Sequence, residues 1–482
     1  MTNHSLLVCL FAGVTAFAAP LPTPGEVAVR PLPARVVAVW EEAGAEVGWL
    51  STDANLLLGF DRSEVAGAAP GFQLEQWKPG ALAALPDPGV PFRLRLCSSE
   101  ASDADLKDLG KFKSLTHLCL FDTKVTDDGL KHLAGLKNLA YLDLSSSNVT
   151  DAGLDQVAAL KKLTQLRLVG LPLTENGLKT LGKLRNLTHL DLSATPTTDR
   201  GLKELASLER LTHLALGHPE TTESGLKHLT RLGRLRHLNL SGTTVREEGF
   251  EHLVRMKGLA SLDLSLCQLT DGAMREIGKL KALRRLDLFA TQVTNTNVRH
   301  LAGLKQLEQL NLGYNLLTDE SLRHLKDLEH LSELGLSDTQ MTGKGLEHLR
   351  SCRRLQRLDL SDTLVTDEEL KRVATLEGLT HLDLSRTKVT DDGLKRLTGL
   401  KRLRGLDLAG NSVTDEGLKL LANRRKLIHL GLAFTLVTDE GLKTLYASKH
   451  LLRLELYGAK ITDEGLEALR MRLPGCQITP AP

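Results

Sequence analysis

Two pentapeptides, "HLDLS" at 189–193 and again at 381–385, set a histidine, an aspartate and a serine on alternate residues. Alternate residues of an extended strand share one face. His189, Asp191 and Ser193, and likewise His381, Asp383 and Ser385, therefore gather the residue types of a nucleophilic relay. A second chemistry overlaps the first. His189, His213 and His237 recur every 24 residues, and with Asp191 they offer the imidazole and carboxylate ligands that zinc accepts. Both sets follow a pattern that fills the chain. No nucleophile elbow or oxyanion loop comes with the first, and no CxxC or HExxH spacing with the second. Stacked strands would also hold the imidazoles parallel rather than tetrahedral. The expectation is no catalytic residue, no cofactor and no metal, with the three histidines and Asp191 as the weak ligand candidate.

The pattern is a unit of 24 residues that begins with "LxxLxL". Its opening leucines run from Leu115 through Leu139, Leu163 and so on to Leu451, giving fifteen units without an insertion. A degenerate unit precedes them with Leu94, Leu96, Leu106 and Leu109, and "PGCQI" at the end places Ile478 where a strand leucine belongs. Leucines at unit positions 4 and 6 alternate, so one face of a short strand points inward. Positions 16, 19 and 22, as in Leu394, Leu397 and Leu400, have helical spacing and close the other side of the core. Thr at position 12 followed by Asp or Glu suits a helix N-cap with acidic residues at the positive helix end. One unit cannot bury this surface alone, so neighbouring units must stack.

"LxxLxL" followed by "VTDxGLxxL" resembles the leucine-rich repeat family over roughly residues 91–479, and looks most like its ribonuclease-inhibitor-like and cysteine-containing subtypes of bacterial type. Position 9 departs from both, being mostly Thr (Thr123, Thr195, Thr243, Thr291), with Asn only at Asn315 and Asn411 and Cys only at Cys267. The resemblance implies an α/β solenoid: an arc of about 16 rungs, with a parallel sheet on the concave face and short helices on the convex face. It also implies, through F-box receptors, an adaptor role that the N-terminal segment argues against.

That segment carries an apolar run from Leu6 to Ala18 ending in Ala16-Phe17-Ala18, which reads as a signal peptide over 1–18. About 13 apolar residues fall short of the roughly 20 that span a bilayer. The expected organisation continues with a Pro-rich linker at 19–34 and an N-terminal cap at 35–90 holding Trp40, Trp49 and Trp77. The repeats follow at 91–474, and a capping strand and tail at 475–482. "RVVAVWEEAGAEVGWL" reads as a helix with an apolar side. Export would permit disulfides, yet the cysteines look unpaired. Cys97 and Cys119 come closest, as diagonal neighbours expected to lie beyond disulfide reach. Lys plus Arg number 61 against 59 Asp plus Glu. That balance speaks against nucleic acid and against a membrane surface as general partners.

Positions 3, 5, 7 and 8 project from the concave face or its rim and are free of the core. Position 5 is often acidic, as at Asp263, Asp287, Asp359, Asp383 and Asp407. Such a ladder repels itself, and a basic partner or the nearby Arg285, Arg357 and Arg453 would relieve it. Aromatics fall in pairs on adjacent rungs: Phe121 with Tyr141, Phe289 with Tyr314, and Phe434 with Tyr457, with Leu266 extending the middle pair. Core packing is leucine's task here, so these side chains have the placement of binding hot spots. The expected function is an exported, non-enzymatic scaffold, periplasmic, envelope-bound or extracellular, that binds a protein with a basic surface. The alternative is attachment to carbohydrate or cell envelope.

Overall fold

The computed structural model describes residues 31–53, 57–62, 68–75, 80–97, 100–422 and 424–479. The expected signal segment, most of the linker and Trp77 lie outside them. Two compact units divide the chain, Met1–Leu235 and Arg236–Pro482.

In the first unit, a helix at Ala34–Glu42 precedes strand β1 (Glu46–Thr52), which pairs antiparallel with β2 (Leu58–Asp61) and β3 (Ala69–Gln73). The expected single helix over "RVVAVWEEAGAEVGWL" thus ends halfway. Gly44 turns the chain at φ 90°, and the Val47, Trp49 and Ser51 side of the following stretch alternates with buried Gly48 and Leu50 in strand fashion. β3 then pairs in parallel with β4 (Phe92–Arg95), and β4 with β5 (Leu115–Cys119), so the period-breaking region enters the same sheet as the repeats. Further parallel strands at Tyr141–Asp143, Gln165–Arg167, His189–Ser193 and His213–Gly217 complete this unit. Its first rung is closed by aromatic rather than leucine packing. Trp40 stacks on Phe72 with ring centroids 4.0 Å apart, Phe92 and Phe112 meet it edge-on or tilted, and its indole N–H donates to the Pro86 carbonyl.

The second unit is an unbroken parallel series from His237–Asn239 to Gln477–Thr479, one three-residue strand per repeat. Ile478 stands opposite Leu454, in the register of the strand leucines.

Three devices lock successive repeats together, and each explains a letter of the consensus. The leucines at positions 1, 4, 6, 16, 19 and 22 are buried, as in Leu379, Leu382, Leu384, Leu394, Leu397 and Leu400. The acid at position 13 clamps the next unit. Asp391, for example, accepts from both the backbone N–H and the hydroxyl of Thr414, at 2.9 and 2.6 Å, and Asp367, Asp415 and Asp439 repeat this with Thr390, Thr438 and Thr462. The following glycine is dictated by that clamp: a Cβ on Gly417 would lie 2.2 Å from Asp391 Oδ1. Buried Thr at position 9 donates to the carbonyl three residues earlier, as Thr243 does to Leu240 and Thr363 to Leu360. Asn315 and Asn411 do more, reaching back to the preceding rung's Leu288 and Leu384 carbonyls. Threonine satisfies its own turn, which is why it can stand where the resembling subtypes carry Asn or Cys.

Candidate functional site

In the first unit the outward sheet face is covered over its N-terminal rungs. Leu50 of β1 and Leu58 of β2 pack with Cys97, Cys119 and Tyr141, with Phe60 and Phe121 at the edge of the cluster. Tyr141, expected as an exposed anchor, is 0% accessible and stacks on His117. The reason is local: the antiparallel β1–β2 hairpin supplies the apolar cover that repeat spacing alone does not reveal. Within the same cluster Cys97 and Cys119 form a disulfide with Cα atoms 5.9 Å apart, against the expectation of unpaired thiols. They are diagonal in register, since Cys119 stands opposite Arg95. β4 ends at Arg95, however, and the chain turns at Cys97, bringing it back within reach.

Below this cluster the position-5 residues alternate in charge. Arg167 bonds Asp143 at 3.0 Å on one side and Asp191 at 3.1 Å on the other, and all three are buried. Burial opposes the guanidinium charge, but the two carboxylates outweigh it and hold Arg167 protonated. This disposes of the first-unit chemistry. Asp191 serves Arg167 and the Ser193 N–H rather than a histidine. The His189 and His213 rings lie parallel, 4.0 Å apart, each with Nδ1 at the hydroxyl of the preceding Thr188 or Thr212. His237 belongs to the second unit, where burial and then Arg285 and Arg236 depress its pKa to about 4. Among the described residues no group of three or more His, Cys, Asp and Glu is placed to hold a metal. The second "HLDLS" is no relay either: Ser385 donates to Asp383 at 2.6 Å, while His381 Nδ1 meets Thr380.

The second unit leaves the same positions unsettled. Asp263 stands beside Asp287, and Asp359 beside Asp383 and then Asp407, in strand register. Each uses Oδ1 to accept the N–H two residues on, at 2.8–2.9 Å, so the acid closes the strand-to-loop turn. Only Asp287 has a neutral neighbour on the other oxygen, the Asn311 amide at 3.2 Å. Burial, then Asp407 and Asp359, push the Asp383 carboxyl up to about 7. Burial, then Asp263, do the same for Asp287, to about 7. Burial raises Asp263 and Asp407 as well. Of the arginines expected to relieve the ladder, Arg357 pairs instead with Glu333, and Arg453 pairs with Glu455, the position-5 acid of its own rung.

Around this ladder lie the remaining aromatics. Phe289 and Tyr314 stack with centroids 5.7 Å apart, and Phe434 meets Tyr457 edge-on at 5.2 Å. The backbone at position 8 is left-handed in unit after unit. Asp122, Ser146, Gly170, Ala194, Gly242, Asp338, Asp362, Gly410 and Gly458 all have φ between 51° and 71°. Gly and Asp tolerate the conformation, whereas Ser146 and Ala194 carry an ordinary Cβ there, as do Ala290 at φ 54° and Arg386 at φ 50°. Leu266, Tyr314 and Phe434 are the large apolar side chains at this position, with φ 62°, 56° and 54°, and they are 44, 59 and 61% exposed.

Leucine rich repeat profiles match residues 281–341 and, separately, 135–158, 379–397, 403–422 and 447–469. The chain carries leucine-rich repeats. No curated protein matches its sequence. Its fold is similar to that of an internalin from Listeria monocytogenes, with 22% identity over 67% of this chain and 87% of that one (TM-score 0.48). A leucine-rich-repeat protein of Leptospira interrogans is similar at 24% identity over 77% and 92% of the two chains (TM-score 0.45). The ectodomain of the Arabidopsis receptor kinase HAESA, solved with a peptide hormone ligand, has 19% identity over 94% and 75% (TM-score 0.43). No helix among the described residues of this leucine-rich-repeat chain is long and apolar enough to cross a membrane. Repeat spacing placed the aromatics on the rim but missed the strain at position 8. The signal was present in the Gly and Asp that recur there, which mark a left-handed turn that Leu266, Tyr314 and Phe434 must also adopt.

Proposed function

We propose that this leucine-rich-repeat protein is an exported, non-enzymatic scaffold that binds a protein through the outward sheet face of its second unit. The observation that carries the reading is the trio at position 8. A large apolar side chain on left-handed backbone costs about 1 kcal/mol relative to glycine, and exposure forgoes the burial that would offset it. Solubility gains nothing from Leu266, Tyr314 or Phe434, and the ring contacts that Tyr314 and Phe434 make leave both mostly in solvent. Strain of this kind, kept at an exposed position, has the character of a functional site. Leu266, Phe289 and Tyr314 form one anchor group on successive rungs; Phe434 and Tyr457 form another. Asp263, Asp287, Asp359, Asp383 and Asp407 beside them favour a partner presenting lysine or arginine, whose charge would stabilise carboxylates that now repel one another. The Cys97–Cys119 disulfide supports export, because such bonds persist in oxidising compartments. Phe121 and Tyr141 are left out of the proposed surface.

The test is crosslinking capture by the full chain from its native envelope and medium, run beside a Tyr314→Gly, Phe434→Gly variant. A protein captured by the parent, lost with the variant and released by added salt supports the reading. Capture that ignores the substitutions would remove this face from consideration.

A further inference from the structure

On the helical side of the first unit, an ion pair that six of the repeats make is missing from three successive rungs that keep its cation. It joins an acid at position 14 to a cation at position 17, one helical turn apart. Asp128 holds Lys131 at 2.5 Å, Asp392 holds Lys395 at 2.6 Å, Glu416 holds Lys419 at 2.5 Å and Glu320 holds Arg323 at 2.9 Å; Glu368 with Lys371 and Glu440 with Lys443 follow suit. In the helices Glu175–Leu181, Asp199–Leu205 and Glu223–Leu229 the cation stays and the acid is gone. Asn176 precedes Lys179, Arg200 precedes Lys203, and Ser224 precedes Lys227. Lys179, Lys203 and Lys227 are exposed and take part in none of the ion pairs among the described residues. Nor do they reach the position-13 acid of the preceding rung, as Arg275 reaches Glu247 and Arg299 reaches Asp271.

The three rungs also border an open groove of about 780 Å³, lined by Lys179, Lys183, Lys203 and Arg231 together with Glu204 and Glu209. The field there is positive beyond the groove itself. The pKa of His228 is lowered by burial and by Lys227, Lys203 and Arg231, with Asp199 opposing. A volume of this order suits a few linked rings of a polymer. Charge alone would admit any polyanion, but the lining narrows the class. No aromatic side chain lines the groove, so it lacks the stacking platform on which single-stranded nucleic acid relies. Glu204 and Glu209 among the cations repel any anionic group placed against them, but sugar hydroxyls could donate to them, which the backbone of DNA cannot do. A recess rather than an apolar-tipped surface also suits a chain better than a bilayer.

We infer that this groove, lined by Lys179 and Lys203 and with Lys227 on the helix of Arg231's rung, binds an acidic polysaccharide. Its carboxylate or sulfate groups meet the lysines and Arg231, and its hydroxyls meet Glu204 and Glu209. The site lies in the other unit from the sheet face proposed above and is of opposite sign.

The experiment is fluorescence anisotropy with the full chain and four probes: labelled polygalacturonate, neutral dextran, oligo-dT, and phosphatidylglycerol vesicles. The key variant restores the repeat's own acids, Asn176→Asp with Arg200→Asp and Ser224→Asp, which also returns the ion pairs found elsewhere. A second variant, Lys179→Gln with Lys203→Gln, keeps the test valid if the first misfolds. The expected result is polygalacturonate binding that falls about tenfold or more in either variant and weakens with salt, with no dextran binding. Failure to bind polygalacturonate, or binding that both folded variants retain, would overturn the inference. Tighter binding of oligo-dT or of the vesicles would overturn it too, by assigning the groove to nucleic acid or to lipid.

Discussion

Unit position 5 is handled in opposite ways by the two units. In the first, Asp143, Arg167 and Asp191 alternate in sign, are buried, and complete one another's bonding. In the second, Asp263 with Asp287, and Asp359 with Asp383 and Asp407, put like charges side by side with no arginine between them. The aromatics divide in the same way. Tyr141 is wholly covered by the N-terminal hairpin, while Tyr314 and Phe434 stand mostly in solvent. One repeat template therefore yields a face whose needs are met internally and a face whose needs are not. An unmet need on an otherwise well-satisfied scaffold is the physical mark of a surface that waits for something.

The contrast breaks most sharply at Arg167. Arg167→Met leaves two buried carboxylates without their cation and should cost about 3–5 kcal/mol of stability, read as a fall in the denaturant midpoint. A loss below about 1 kcal/mol would mean the network is solvated and the first-unit face open after all. Next in size is the disulfide. Replacing Cys97 and Cys119 by serine frees a loop with a sequence separation of 22, which on chain entropy costs about 3 kcal/mol. Hydrogen exchange should place that loss in the first unit, and exchange rising equally in both units would contradict the division of labour.

The opposite sign is expected at Asp383. Its pKa is raised from the ordinary carboxylate value to about 7 by burial and by Asp407 and Asp359. The folded state therefore holds the proton more tightly than the unfolded chain. Stability from this group is intact below pH 4 and is lost as the pH climbs toward 7. Asp383→Asn keeps the Oδ1 acceptor for the Ser385 N–H and removes the charge. It should stabilise the protein at pH 8 by roughly 1–2 kcal/mol and change little at pH 4. Melts at the two pH values decide the matter, and a variant less stable than the parent at both would show that the ladder is not under repulsion.

The solenoid was legible because it is stated fifteen times over. Leucine at positions 4 and 6, then at 16, 19 and 22, leaves few ways to bury the surface, and the register of Ile478 follows from counting alone. What escaped was whatever the period does not contain. The β1–β2 hairpin sits outside the repeats, so neither the burial of Tyr141 nor the turn that brings Cys97 to Cys119 could be counted out. The acid at position 13 was read as a helix-end charge. Its larger task, clamping the next unit's threonine at the expense of any side chain on the following glycine, depends on an inter-rung distance that a single sequence does not carry. The outward direction of Phe289, Tyr314, Phe434 and Tyr457 was legible, since leucine had already filled the core.

The smallest expected effect is the one most diagnostic of the exposed face. If Tyr314 sits on left-handed backbone for reasons unconnected with folding, the ordering of its replacements is fixed by conformation. Tyr314→Gly removes the Cβ penalty, about 1 kcal/mol, and forgoes a partly exposed stack on Phe289 worth about 0.5–1.5 kcal/mol, so it should lie within about 1 kcal/mol of the parent. Tyr314→Ala loses the same stack but keeps the Cβ, and should be less stable than the glycine variant by about 0.5–1 kcal/mol. The same order should hold at Phe434 and Leu266. It should reverse at an exposed helical site such as Lys179, where glycine costs roughly 1 kcal/mol against alanine. Denaturant melts of the six position-8 variants and the Lys179 pair measure all of this at once. Alanine more stable than glycine at position 8 would mean the three residues carry no strain. Their exposure would then be ordinary surface composition rather than a sign of a partner.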